Sequence, residues 1–186
     1  MGSWEDGKPR CAWVPVGDTE LAHYHDTVWG KRTYAEPALF EALTLGVFEV
    51  GLSWSTVFRK RAAFQHAFHQ FDVDKVARMS GRDVDRLVQD PSIIRNRAKI
   101  QAAVTNARAM RAASPTLPQL AKAYAVDRTR SPRTLPVTTP EAEAFAKQLK
   151  AQGYTFVGPT SVYAFMQNVG VVNDHLHGCF RAIDYP

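Results

Sequence analysis

The chain has two cysteines, one near each end, and each has a histidine at ligand-like spacing. Cys11 is followed by His25, and the second pair lies in His175-Leu-His-Gly-Cys179. A fold in which these four residues meet must bring the two ends of the chain together. On a helix, His175 and Cys179 at i and i+4 project from one face, about 5–6 Å apart. Two such pairs make a Cys₂His₂ set, which fills zinc's four positions with borderline-soft ligands and leaves none open for water. The first reading is therefore a structural Zn2+ that staples the termini, not a metallohydrolase. The long separation of the halves is unlike that of a zinc finger. The alternative is two reduced core cysteines and surface histidines, since free cysteine is often buried. His23 and His177 lie near the proposed ligands but are read as bystanders.

With 186 residues, 45% of them hydrophobic and 11% aromatic, the chain can form one domain, or a compact pair of lobes, around a substantial core. No apolar run reaches the length of about 18 residues that suggests a membrane span. Met1-Gly-Ser-Trp-Glu-Asp-Gly-Lys8 lacks the hydrophobic region of a signal peptide. Two cysteines without a CxxC motif point to a reducing, cytoplasmic setting. The net charge is +5, and its distribution says more than its size. From Pro91 to Val126 there is no acidic residue, while Arg95, Arg97, Lys99, Arg108, Arg111 and Lys122 are basic. Arg59-Lys-Arg61 adds a second cluster. A charge run is usually a solvated helix face, but one with no counter-charge suggests a polyanionic partner.

Apolar spacing predicts helices nearly throughout. They are expected at 37–50, with Pro37 in the first turn, and from a Ser53 cap to His69. Others are expected around 76–79 and over 83–88, 93–113, 120–124, 140–152 and 161–169. Residues 127–140, rich in Pro, Thr and Arg, read as a surface loop. No useful β-alternation or internal repeat appears, so the expected fold class is all-α.

Residues 86–100 read as a short helix, a tight turn and a basic helix. The backbone N–H groups at the start of the second helix, with its dipole, favour anions. Such a helix-hairpin-helix holds DNA by its backbone without reading sequence. Ser92 stands where glycine would turn more easily, and an ordinary helical hairpin is the competing reading. The four tryptophans, Trp4, Trp13, Trp29 and Trp54, lie early in the chain, joined by Tyr24 and Phe48. Core packing is the usual fate of any one tryptophan. Their concentration beside Glu49 nevertheless suggests a pocket whose rings stack on a base taken out of the helix.

Six segments resemble 3-methyladenine DNA glycosylase I, a family of the helix-hairpin-helix superfamily. They are Cys11-Ala-Trp-Val14, Tyr24-His-Asp-Thr-Val-Trp-Gly30, Gly51-Leu-Ser-Trp-Ser-Thr-Val57, Ile93-Ile-Arg-Asn-Arg-Ala-Lys-Ile-Gln101, Phe156-Val-Gly-Pro-Thr160 and Val172-Asn-Asp-His-Leu-His-Gly-Cys179. The resemblance implies a single glycosylase domain over 1–186, with two helical lobes and a base pocket between them. It implies zinc ligation by Cys11, His25, His175 and Cys179. It matches Trp13, Tyr24 and Trp54 to pocket positions, and Leu52 to the side chain that fills the gap left by a flipped nucleotide. Ser92, Arg95, Arg97 and Lys99 are the expected DNA contacts, and the partner is double-stranded DNA with alkylated bases, bound by a monomer.

The chain departs from the family pattern on the helix before Gly51. Gly46 replaces the carboxylate that contacts the base, and Glu49 replaces a glutamine. At i and i+3 the two positions share nearly one face, so Glu49 is the candidate catalytic carboxylate. Its competing reading is a rim residue balancing nearby arginines. The segment between Ala113 and Pro140 also departs, lacking the usual aromatics. The expected activity is excision of 3-methyladenine or a related N3 or N7 adduct in base excision repair, with no lyase step. The alternative is a non-catalytic DNA-lesion binder, to which the glycine at 46 lends support.

Overall fold

The computed structural model describes residues 4–183, so Met1-Gly2-Ser3 of the stretch read for a leader lies outside it. The described residues form helices α1 (Thr19–Thr27), α2 (Glu36–Glu49), α3 (Trp54–Phe58), α4 (Arg61–Ala67), α5 (Val73–Ala77), α6 (Gly81–Gln89), α7 (Arg97–Ala112), α8 (Leu117–Ala123), α9 (Pro140–Ala151) and α10 (Pro159–Asn168). An isolated parallel bridge pairs Val126 with Val172. Among the described residues, no helix is long and apolar enough to cross a membrane.

The helix boundaries follow local chemistry. Pro37 stands in the first turn of α2, where its missing N–H costs nothing. Ser80 and Asp83 form a reciprocal capping box on α6, and Thr116 and Gln119 do so on α8. Thr139 caps α9 ahead of Pro140. The region expected as one helix from Ser53 to His69 breaks at Arg59–Lys60 into α3 and α4. It then ends in three left-handed residues, His69, Gln70 and Phe71. Helix α7 begins at Arg97 rather than Ile93, because the Asn96 side chain accepts the Lys99 N–H as its cap.

Two hydrophobic clusters define two lobes. The larger is centred on α2, buried from Ala42 through Phe48 and packed against α7, α8 and α10. A helix buried on nearly all sides must be apolar all round, and its stretch Ala42-Leu-Thr-Leu-Gly-Val-Phe48 contains no charged residue. The smaller cluster comprises Val14, Leu21, Ala22, Tyr24, Trp29 and Phe58, with Trp13 and Trp54 packed against it. The helix α6, the turn from Asp90 to Asn96 and α7 make the helix-hairpin-helix.

Candidate active site and metal cluster

Cys11, His25, His175 and Cys179 converge, all buried, with their ligand atoms within 4.8 Å of one another. His175 Nδ1 lies 3.2 Å from His25 Nε2, 3.8 Å from Cys11 Sγ and 3.7 Å from Cys179 Sγ. Cys179 Sγ lies 3.4 Å from His25 Nε2. A tetrahedron with metal–sulfur bonds near 2.3 Å and metal–nitrogen bonds near 2.0–2.1 Å has edges of about 3.3–3.8 Å. The donor set therefore fits a tetrahedral metal ion.

The surroundings of the cluster suit one too. His25 Nδ1 meets Asp26 Oδ1 at 2.8 Å, and Arg10 clamps that carboxylate through Nη2 at 2.6 Å. Such outer contacts fix the tautomer and the ring of a ligating histidine. The Leu176 and Arg181 amides donate to the Cys11 and Cys179 sulfurs. The hydrogen bond from Cys11, with help from both histidines, holds the Cys179 thiol far below its ordinary range, while the same contact and burial push Cys11 up.

Residues 175–179 are irregular loop passing into turn and bend, not helix, contrary to expectation. The chain instead curls at Gly178, in a left-handed conformation (φ +85°), so that His175 and Cys179 approach the cluster from a loop. Buried Asp174 anchors that loop through Tyr163, Gln167 and Arg128. Gly30 (φ +72°) is required on the other side, since a Cβ there would lie 2.8 Å from His175 Nε2. His23 and His177 are exposed, and neither belongs to the cluster.

Next to the cluster is a cleft of about 260 Å³ lined by Trp13, Trp29, Glu49, Trp54 and Asn168, among others. Trp13 and Trp29 meet edge to face at 5.1 Å. Each also touches a ligand imidazole: Trp13 touches His25 at 5.3 Å and Trp29 touches His175 at 4.7 Å. Glu49 is half-buried at the end of α2, and desolvation raises its carboxyl above the ordinary range. Tyr24 stands behind this cleft. It packs on Trp54 and Phe58, donates to Asn168 Oδ1 at 3.3 Å, and lines a smaller adjoining cavity.

Phe48 does not line the cleft. It is fully buried against Phe64 and Phe68 in the main core. Adjacent helix positions differ by about 100°, so Phe48 and Glu49 face different surroundings. Lys99 is also displaced from its expected role. It is 7% exposed, and its Nζ donates to Phe48 O at 2.9 Å and to Val50 O. That amine ties the C-terminal carbonyls of α2 to α7 and is not presented to a phosphate. Ser92, Arg95 and Arg97 do lie on the exposed hairpin surface. Ser92 donates its N–H and its hydroxyl to Asp90 Oδ1, and Arg97 pairs with Asp85 at 2.7 Å. Leu52 is 42% exposed on the turn after Gly51, whose φ of +77° permits that turn.

Sequence reasoning missed Leu135, Gln167 and Asn168 as cleft-lining residues. Gln167 and Asn168 close α10, whose apolar pattern marked it as core. Leu135 comes from the 127–140 loop, which carries no periodicity to say where it points. Trp29 carried a signal in its place among the early aromatics.

Residues 13–182 match the methyladenine glycosylase family. The chain is 41% identical over 184 residues to DNA-3-methyladenine glycosylase 1 of Escherichia coli strain K12, covering 91% of this chain and 95% of that one. It is 38% identical over 179 residues to DNA-3-methyladenine glycosylase of Haemophilus influenzae, covering 91% and 96%. A crystal structure of 3-methyladenine DNA glycosylase I superposes with a TM-score of 0.87 at 40% identity, covering 96% of this chain and all of that one. With its helix-hairpin-helix, two helical lobes and intervening aromatic cleft, the chain belongs to the methyladenine glycosylase family.

Proposed function

We propose that the protein is a monofunctional DNA glycosylase that releases alkylated purines, 3-methyladenine among them, from double-stranded DNA in base excision repair. The observation that carries this reading is the cleft, in which Trp13, Trp29 and Trp54 surround a half-buried Glu49 carboxylate that has no cationic partner in the cleft lining. Aromatic faces and an anion suit a flat, cationic base. Leu52 stands exposed beside the cleft, placed to occupy the stack vacated by the extruded nucleotide. The exposed hairpin with Ser92, Arg95 and Arg97 holds the phosphate backbone without reading sequence.

Alkylation at N3 or N7 places positive charge on the purine and makes it a good leaving group. As the C1′–N glycosidic bond breaks, its electron pair neutralises the ring and the sugar becomes oxocarbenium-like. Glu49 stabilises the cation and orients the water that attacks C1′, and the water's proton passes to the carboxylate or to solvent. No lysine is among the cleft-lining residues, and Lys99 Nζ is held by backbone carbonyls, which supports release without a Schiff-base lyase step. Cys11, His25, His175 and Cys179 would hold a structural Zn2+. Four protein donors leave no position for a reacting water. The cleft, hairpin and Leu52 all come from one chain, which supports a monomer acting on each lesion.

The test is incubation with methylated duplex DNA and identification of released bases by mass spectrometry. Release of 3-methyladenine, leaving intact abasic strands, is expected. Tight lesion binding with no base released would replace the enzyme by a lesion binder.

A further inference from the structure

Gly46 sits in the interior of α2, where a glycine costs roughly 1 kcal/mol against alanine. Neither backbone nor packing demands it. Its backbone is helical, and a Cβ built there has only Ser161 O within 4 Å, at 4.0 Å. The space above it belongs to a recess of about 340 Å³ lined by Gly46, Val50, Leu52, Thr160, Ser161 and Ala164, among others, with Glu49 at its boundary. Glu49 and Ala164 also line the aromatic cleft, so the two spaces share that wall.

From this geometry we propose that the recess over Gly46 receives the alkyl substituent of the damaged base, and that the enzyme takes purine adducts larger than methyl. This deepens, and rests on, the glycosylase reading above. A cationic N3-alkylpurine turns its charged, alkylated edge toward the Glu49 carboxylate. A substituent on that edge then extends past Glu49 and over Gly46. The lining suits a short chain of two to about four heavy atoms: Val50 and Leu52 offer aliphatic surface, and Thr160 and Ser161 bear hydroxyls near a chain terminus. A hydroxyethyl group matches both properties, and an ethyl group matches the first. Gly46 is thus a specificity-determining position, because any longer side chain there enters the recess.

The experiment measures single-turnover release from three duplex DNAs, treated with a methylating agent, an ethylating agent and ethylene oxide. The released 3-methyl-, 3-ethyl- and 3-(2-hydroxyethyl)adenine are quantified by mass spectrometry. The wild type is expected to release all three with rates within about tenfold of one another. Gly46→Leu, a good helix former that fills the recess, is expected to lower the ratio of 3-ethyl- to 3-methyladenine release by tenfold or more, within the range that one or two methylenes command in a shaped pocket. Gly46→Ala, a milder variant with little risk to folding, should move the ratio in the same direction by less. Wild-type release of 3-methyladenine with the larger adducts left in place overturns this inference and leaves the glycosylase reading standing. A selectivity ratio unchanged in both variants also overturns it. Release of none of the three bases defeats the glycosylase reading itself.

Discussion

Glu49 combines two properties that purely structural residues avoid. It is partly desolvated, and its carboxyl is raised above the ordinary carboxylate range by that burial. Charge held away from water costs stability, and groups so held concentrate at functional sites. The sign follows from linkage. A carboxyl raised in the folded state leaves the protein less stable once pH exceeds that raised value. Glu49→Gln is therefore expected to raise Tm slightly at neutral pH, with the gain disappearing at pH 4, where the wild-type carboxyl is protonated. The same change should slow base release by about 10²–10³, or roughly 3–4 kcal/mol, with little effect on DNA affinity. The acidic limb of the pH–rate profile should lie above the usual value near 4.3 and vanish in the variant. Glu49→Gln matching the wild type in single-turnover release on every substrate would remove Glu49 from the chemistry. The sequence sets Glu49 beside the early aromatics and one turn along from Gly46, which made its place in the cleft lining legible. Its neighbour Phe48 was misjudged for the same reason, since nearness along a helix does not set the face. One step of helical rotation takes Phe48 to Phe64 and Phe68 while Glu49 meets the cleft.

Helix α7 shows what charge patterning can and cannot reveal about an element. Its acid-free sequence reads as a polyanion-binding face, yet much of the positive charge is used internally. Arg111 pairs with Asp74 at 2.6 Å and with Glu36 at 3.1 Å. Arg108 donates to the carbonyls of Ala77 and Met79. Lys99 holds the end of α2. The counter-groups lie on other elements, so no window of local sequence contains them. What periodicity and capping residues encode locally was legible: α2, α6, α9 and α10 lie within a few residues of their expected positions, and the hairpin between α6 and α7 is present. Two opposite outcomes follow along α7. Arg97→Ala, at its exposed start, should weaken DNA binding uniformly across sequences and reduce the salt slope by about one contact. Lys99→Met should leave that slope unchanged and instead lower Tm, because it strips a donor from the carbonyls of Phe48 and of Val50, which caps α2, at about 1–3 kcal/mol for each buried group left unpaired. The variant should also slow excision, since the turn carrying Leu52 starts where Lys99 holds Val50. A salt slope flattened by Lys99→Met to the same degree as by Arg97→Ala would put the amine on the phosphate after all.

At the scale of the whole molecule, the Cys/His cluster and the cleft are two faces of one aromatic wall. Trp13 and Trp29 line the cleft and rest on His25 and His175, and those histidines are held by segments from opposite ends of the chain. A metal ion closing so long a loop would stabilise the fold chiefly by restricting the unfolded chain, by an amount comparable to a long-range disulfide at about 2–4 kcal/mol. Since about 1 kcal/mol moves Tm by roughly 2–4 °C in a protein of this size, Cys11→Ser or Cys179→Ser should lower Tm by about 5–15 °C. Zinc content should fall in parallel when measured by mass spectrometry. The four residues stand outside the main core cluster around α2, so the variants should keep their helical circular dichroism while their tryptophan emission shifts. Activity should fall through a raised KM more than through kcat, because the wall that receives the base loosens while Glu49, mounted on α2, stays in place. Gly30→Ala should reproduce the same pattern with all four ligands intact, by driving a methyl group into the His175 ring. Stoichiometric zinc surviving in both cysteine variants would reduce the four residues to a buried polar cluster. A fall in kcat with unchanged KM would place the metal's influence on the reacting atoms and not on the wall.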